Sequence, residues 1–149
     1  MLKGNGAGGF ESLTSSESGL KAFGQGRGLA LCDFNHDGRL DFVSSQNAGP
    51  TKTYLNQSDR SGIRVRLRGH NGNRQAVGAR VRLMFSGKRF GPRQEISLGA
   101  GYWSQDSGTL ILGYDEVPEA LEILWPTGLI ETITLNGELK EIFRQIPTN

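Results

Sequence analysis

Apolar and polar residues alternate in the second half of the chain. Ile63, Val65 and Leu67 fall on one face of residues 63–68, and arginines fall on the other. Residues 77–85 repeat this alternation. A period of two residues predicts strands with one buried face and one exposed face. Further apolar runs predict strands at residues 94–98, 109–113, 121–125, 129–135 and 140–146.

Turn residues separate these segments. His70-Asn71-Gly72-Asn73 predicts a tight turn between the first two strands, and Pro126-Thr127-Gly128 predicts a short connection further on. Residues 138–144 have an alternative interpretation as one or two helical turns. The 22 glycines among 149 residues indicate many turns and short strands. We therefore predict an all-β fold, either an antiparallel β-sandwich or a partly open barrel.

The first third of the chain carries an acidic loop, residues 33–41, with the sequence Asp-Phe-Asn-His-Asp-Gly-Arg-Leu-Asp. Oxygen-bearing side chains stand at its first, third, fifth and ninth positions, a spacing that suits a hard cation such as Ca²⁺. Gly38 permits the sharp bend, and the carboxylates would repel one another without a cation. The predicted metal ligands are the side chains of Asp33, Asn35, Asp37 and Asp41 and the backbone carbonyl of Arg39.

This acidic loop differs from an EF-hand. An EF-hand closes with a bidentate glutamate at its twelfth position and lies between helices. The twelfth position here is Ser44, and the flanking residues 29–32 and 40–43 are short apolar runs that predict strands. The alternative is an Asx-rich turn without metal, because Asn, Asp and Gly favour turns. We favour Ca²⁺ because the full ligand spacing is present.

Charge is unevenly distributed although the net charge is only +2. Every charged residue from Arg60 to Arg93 is basic, whereas Lys140 is the one basic residue between Asp106 and Glu141. We favour pairing of these halves across a sheet. The alternative is a cationic stripe on two adjacent strands that binds sulfated glycans or nucleic acid. The candidate anion-binding residues are Arg64, Arg66, Arg68, Arg80 and Arg82.

Groups that would indicate catalysis are few. His36 and His70 lie in predicted turns, and neither has a nucleophile at a fixed spacing. Cys32 adjoins apolar residues, which is typical of a small core residue. No apolar run reaches the roughly 18 residues that span a membrane, and residues 1–6 lack the apolar core of a signal peptide. The aromatic residues that could stack on carbohydrate are Tyr102, Trp103 and Trp125. We assign them to the core instead.

Three separated motifs resemble the ASPIC/UnbV domain over about residues 62–146. They are Asn73 with residues 76–81, then Gly101-Tyr102-Trp103-Ser104-Gln105, then residues 121–128, which end in Trp-Pro-Thr-Gly. One departure is that Leu112-Gly113-Tyr114-Asp115 replaces an F-G-L-G-like segment of the family. The resemblance implies no assigned general activity. It does imply export, and hence an extracellular or periplasmic location.

The N-terminal third is similar to an FG-GAP/VCBS repeat. Residues 5–10 resemble the N-x-G-x-G-x-F turn of such a repeat, and Tyr54-Leu55-Asn56 resembles its closing strand. The resemblance implies one β-propeller blade with a calcium-binding loop. A propeller needs roughly four to eight blades, and one blade alone leaves exposed edges. We therefore expect a blade-like unit at residues 1–58 and an ASPIC/UnbV-like β domain at residues 59–149.

The function predicted from these features is a non-catalytic, calcium-stabilised binding module, with protein or carbohydrate as its ligand. The alternative is binding of a polyanion through the arginine residues, and a hydrolase with a site formed only in space is a third hypothesis. We expect neither nucleic acid nor a membrane as partner under the first hypothesis. Exposed blade edges would permit a homo-oligomer.

Overall fold

Strands are the predominant regular element of the molecule, as the alternating pattern predicted. The computed structural model describes residues 1–137 and 139–147, with residue 61 described by its backbone alone. None of the sheets formed by these residues closes into a barrel. The all-β prediction is therefore confirmed, and the sandwich is the one of its two forms that fits. No helix in the described ranges is long and apolar enough to cross a bilayer.

The N-terminal part contains a hairpin, one helical turn and a three-stranded sheet. Strands β1 and β2 pair antiparallel, and Thr14 caps the helical turn α1. The sheet has the order β3-β4-β5 with antiparallel neighbours, so the acidic loop joins two paired strands as predicted. The elements are β1 (Leu2–Gly4), β2 (Phe10–Ser12), α1 (Ser15–Ser18), β3 (Gly26–Cys32), β4 (Asp41–Gln46) and β5 (Lys52–Tyr54).

The remaining strands form two sheets. Strand β6 is central in the order β10-β6-β13, antiparallel to β10 and parallel to β13. The other sheet has the order β12-β11-β7-β8, and β9 also pairs with β7. These strands are β6 (Ser61–Arg68), β7 (Arg80–Phe85), β8 (Arg89–Phe90), β9 (Gln94–Glu95), β10 (Thr109–Tyr114), β11 (Ala120–Leu124), β12 (Ile130–Thr134) and β13 (Glu141–Gln145).

The hydrophobic core is formed by the inward-facing positions of both sheets. Alternation along β6 buries its three apolar residues, as predicted, and Trp125 at the end of β11 is only 1% exposed. The Trp125 indole donates a hydrogen bond of 3.1 Å to Glu131, which satisfies its polar atom inside the core. The largest fully buried apolar side chains are Ile63, Val65, Val81, Leu121, Ile123 and Trp125.

One predicted connection is wrong. The turn at residues 70–73 is present, because the Asn73 N–H donates to the His70 carbonyl. It does not join paired strands, since β6 and β7 belong to different sheets. Residues 69–79 instead cross from one sheet to the other, and the Asn73 side chain holds this crossover by bonding both backbone groups of Val77.

The last segment is a strand. Residues 141–145 pair with β6, which supplies backbone hydrogen-bond partners that a helical turn would not use. Residue 138, where the helical alternative began, lies outside the described residues. The strand expected at residues 94–98 is shorter, because only Gln94 and Glu95 pair with β7.

Candidate functional site

The acidic loop curls around the carboxylate of its first residue. Asp33 accepts the Asp37 N–H at 3.1 Å and the Gly38 N–H at 2.9 Å. The loop turns back through left-handed backbone at His36 (φ 60°) and Gly38 (φ 80°). Gly38 adopts this conformation without the steric cost of a side chain. Asp33 thus closes the loop by accepting from backbone groups four and five residues further along the chain.

The last residue of the acidic loop holds both the start of the loop and the segment that follows β5. Asp41 is 1% exposed, and its two carboxylate oxygens accept the Phe34 N–H at 2.9 Å and the Asn56 N–H at 2.7 Å. Asp41 pairs in register with Cys32, so the loop begins and ends on adjacent strands. A buried carboxylate is costly unless it is hydrogen-bonded, and here backbone donors satisfy it.

In the middle of the acidic loop, the Arg39 side chain forms an ion pair with Asp37. One Arg39 guanidinium nitrogen lies 2.5 Å from the Asp37 carboxylate, and its Nε donates to the Asn56 carbonyl at 2.8 Å. The Asn35 side-chain amide also donates to Asp37, at 2.6 Å. Only the backbone carbonyl of Arg39 was a predicted ligand. Its side chain proves to neutralise one of the predicted metal ligands.

A second arginine reaches the acidic loop from β6. Arg64 lies 2.5 Å from the Asp33 carboxylate, and the two side chains are 11% and 1% exposed. Burial raises the pKa of Asp33, but the Arg64 guanidinium and the N–H groups of Gly38 and Asp37 lower it more. The net pKa is below its ordinary value, so Asp33 is ionised at neutral pH.

Two glycines bring the acidic loop against β6. A Cβ atom on Gly38 would lie 2.6 Å from the Gly62 carbonyl oxygen, and one on Gly62 would lie 2.2 Å from the Gly38 carbonyl oxygen. A second junction forms where Asp106 accepts the Leu31 N–H at 2.8 Å and Ser107 donates its N–H to the Leu31 carbonyl. The sheet β3-β4-β5 is thereby attached to the sheet β10-β6-β13 by close backbone contact and hydrogen bonds.

The donor set of the acidic loop suits a hard cation in its chemistry. Three carboxylates, one amide and one backbone carbonyl are the oxygen ligands that Ca²⁺ takes. Among the described residues, no three His, Cys, Asp or Glu side chains are placed so that they could hold a metal ion together. Arg64 and Arg39 lie on carboxylates that a cation would use. A cation would therefore compete with these two guanidinium groups.

The cationic stripe is divided by the fold, so the expectation of two adjacent arginine strands is wrong. Because β6 and β7 lie in different sheets, their arginines do not stand on adjacent strands of one sheet. Arg80 pairs with Glu95 and Arg82 pairs with Glu122. Of the five candidate anion-binding residues, those that form no ion pair within the described residues are Arg66 and Arg68.

Pairing of the basic and acidic halves is confirmed. Glu122 on β11 stands opposite Arg82 on β7 in register, and the closest atoms are 2.7 Å apart. The Arg82 guanidinium also lies 3.7 Å from the centre of the Phe90 ring. The hydrogen bond from Arg82 lowers the pKa of Glu122 below its ordinary value, with a smaller lowering from Arg93. This pair places opposite charges on neighbouring strands, an arrangement that stabilises a sheet.

The aromatic prediction is only partly correct. Trp125 is in the core, but Tyr102 and Trp103 are 74% and 84% exposed. They contact each other edge to face, with ring centroids 6.0 Å apart.

Cys32 is half-buried, and burial raises the pKa of its thiol, with Asp41 and Asp33 adding to the rise. The thiol is therefore protonated at neutral pH and a poor nucleophile.

Comparison with known families finds a match within the second part of the chain. Residues 69–138 match the model of the family described as "ASPIC and UnbV". This span includes the three motifs on which the resemblance was based. The resemblance is thus confirmed for these residues, whereas the FG-GAP/VCBS resemblance of the first third stays a prediction.

Two curated relatives carry the name cartilage acidic protein 1. The Xenopus tropicalis protein is 33% identical over 66 residues, which are 44% of this chain and 10% of that protein. The Homo sapiens protein is 46% identical over 41 residues, which are 28% of this chain and 6% of that protein. The match thus spans a tenth or less of the length of these relatives.

Proposed function

We propose that this chain is a calcium-stabilised, non-catalytic binding module. The observation that carries the proposal is the pair of buried carboxylates, Asp33 and Asp41, at the two ends of a loop between adjacent strands. Oxygen-rich side chains at Asn35 and Asp37 lie between them in the chain. A cation that binds this loop only in the folded chain would stabilise the fold by linkage.

The residues that would hold Ca²⁺ are those whose spacing indicated it. Ca²⁺ would supply positive charge that offsets the repulsion among the carboxylates. Binding of Ca²⁺ would displace the Arg39 side chain more readily than that of Arg64, because Arg39 is 30% exposed and Arg64 is 11% exposed. The proposed ligands are side-chain oxygens of Asp33, Asn35, Asp37 and Asp41 and the carbonyl of Arg39.

A binding role without catalysis is supported by the comparisons. The names of the matching family and relatives specify no reaction. The proposal divides the chain into a blade-like unit at residues 1–58 and a β domain at residues 59–149. We further propose that the ligand is a protein or a carbohydrate. We propose an extracellular or periplasmic location by analogy with the family and with a relative named for cartilage.

Thermal unfolding with and without Ca²⁺ tests the calcium proposal. Ligand at 100 times its dissociation constant adds about 2.7 kcal/mol, which raises the Tm of a chain this size by roughly 5–10 °C. Asp37→Ala should abolish the calcium-dependent rise. The matched control is Asp59→Ala, since Asp59 is an exposed acidic residue outside the loop. Arg39→Gln should strengthen the response to Ca²⁺ by removing the competing guanidinium.

The same measurement separates the metal site from the Asx-rich turn. Equal melting temperatures in EDTA and in excess Ca²⁺ would show that the two arginines, and not a cation, neutralise the loop. An equal rise with Mg²⁺ would also contradict a calcium site, because Mg²⁺ demands a near-ideal octahedral geometry that a flexible oxygen-rich loop does not enforce.

A further inference from the structure

A cleft of about 760 Å³ opens on the sheet β10-β6-β13, next to the junction that Asp106 and Ser107 form with the N-terminal sheet. Its floor includes Arg66 of β6 together with the residues paired with it, Thr109 of β10 and Phe143 of β13. Residues 96–98 and 105–108 also line it. A volume of this size is typical of sites for small ligands, roughly 300–1,000 Å³.

Three arginines line this cleft. Arg66 and Arg68 project from the outward face of β6, and Arg74 joins them from the crossover between the sheets. All three are exposed, and they form no ion pair with any carboxylate in the described ranges. Arg64 lies on the same face of β6 but forms an ion pair with Asp33. The fold thus separates one structural arginine from three that remain available to an anion.

One wall of the cleft is held in place by hydrogen bonds. The Gln105 side chain donates to the Ser97 carbonyl at 3.2 Å and to the Asp106 carbonyl at 3.1 Å, and it accepts the Gly99 N–H. The Asp106 carboxylate accepts the Leu31 N–H, which ties this acid to β3. The wall is therefore ordered before any ligand enters, which lowers the cost of binding.

The chemistry of the cleft combines positive charge, hydroxyl groups and an apolar surface. Guanidinium groups bind sulfate and carboxylate groups in a forked geometry. Ser97, Ser107 and Thr109 can exchange hydrogen bonds with sugar hydroxyls. Phe143 and Leu98 are 57% and 64% exposed and offer apolar surface to the C–H groups of a sugar ring.

We infer that this cleft binds a short acidic saccharide bearing sulfate or carboxylate groups, through Arg66, Arg68 and Arg74. A polynucleotide fits less well, because stacking of successive bases needs several aromatic side chains and Phe143 is the one aromatic residue in the lining. The inference specifies a ligand class for the proposed binding module, but it does not depend on calcium.

Calorimetric titration of the full chain with a heparin-derived tetrasaccharide at low salt tests this inference. Each of Arg66→Gln, Arg68→Gln and Arg74→Gln should weaken binding roughly tenfold, because each removes a charge-assisted hydrogen bond. Arg80→Gln is the matched control, since it removes the same charge from an exposed strand position outside the cleft. Its affinity should stay within about twofold of the wild type, and the Tm of each variant shows that the fold is retained.

Three outcomes would overturn the inference. The first is no binding of the tetrasaccharide by the wild type at low salt. The second is an equal loss in Arg80→Gln, which would show a response to net charge alone. The third is tighter binding of single-stranded oligodeoxythymidylate that shows the same dependence on Arg66, Arg68 and Arg74. A calcium-independent Tm combined with cleft-dependent binding would contradict only the calcium proposal.

Discussion

The Arg64 guanidinium lies 2.5 Å from the Asp33 carboxylate, and this ion pair joins the acidic loop to the central strand of the neighbouring sheet. Both side chains are largely buried, at 11% and 1% exposure. The same contact holds two parts of the fold together and neutralises the first predicted metal ligand. The stability of the loop and its affinity for a cation are therefore coupled through one carboxylate.

Replacing Arg64 tests the structural side of this coupling. Arg64→Met leaves Asp33 buried without its counter-charge, and loss of one partner of a buried pair costs about 3 kcal/mol or more. Arg66→Met is the control, because Arg66 lies two positions along the same strand, is exposed and is unpaired in the described residues. Urea unfolding measures both free energies. Equal losses in the two variants would show that the ion pair contributes nothing specific.

The pH dependence of stability follows from the lowered pKa of Asp33. Its ordinary value is 3.8, and the folded value is lower, so the unfolded chain binds the proton first as pH falls. The stabilising contribution is therefore complete above the unfolded pKa and is lost as pH falls through the folded pKa. Urea unfolding at successive pH values below about 6 should show a shallower acid decline in Asp33→Asn. Parallel curves for the two proteins would refute this assignment.

Gly62 tests the close approach of the acidic loop to β6. In Gly62→Ala the new Cβ would lie 2.2 Å from the Gly38 carbonyl oxygen, so loop or strand must move. We expect a loss of about 1–3 kcal/mol in the free energy of unfolding. Gly108→Ala is the control, because its Cβ would meet nothing within 4 Å. An unchanged stability in Gly62→Ala would mean that the two segments separate at no cost.

Local pattern was sufficient for much of the fold. Alternation at Ile63, Val65 and Leu67 predicted which face of β6 is buried, since side chains of a strand point to opposite faces in turn. Turn-forming residues between residues 29–32 and 40–43 correctly placed the acidic loop between two strands. These features depend on neighbours in the chain, and the sequence displays them directly.

The partners of charged and aromatic side chains could not be predicted in this way. Arg64 resembled Arg66 in the sequence, yet of these two only Arg64 reaches the acidic loop and pairs with Asp33. Large aromatic side chains are typical of a core, but the loop that carries Tyr102 and Trp103 leaves both exposed. Arg74 gave no signal, because it reaches the cleft only after the chain crosses between the two sheets.

The strands, the buried faces and the oxygen-rich loop could be predicted because periodicity and turn chemistry act over a few residues. Only the folded chain shows that β6 and β7 lie in different sheets, that Arg64 neutralises Asp33, and that a separate cleft contains Arg66, Arg68 and Arg74. An ion pair or a cleft of this kind depends on which distant segments pack together. That packing is set by burial of the whole core and not by the residues that finally meet.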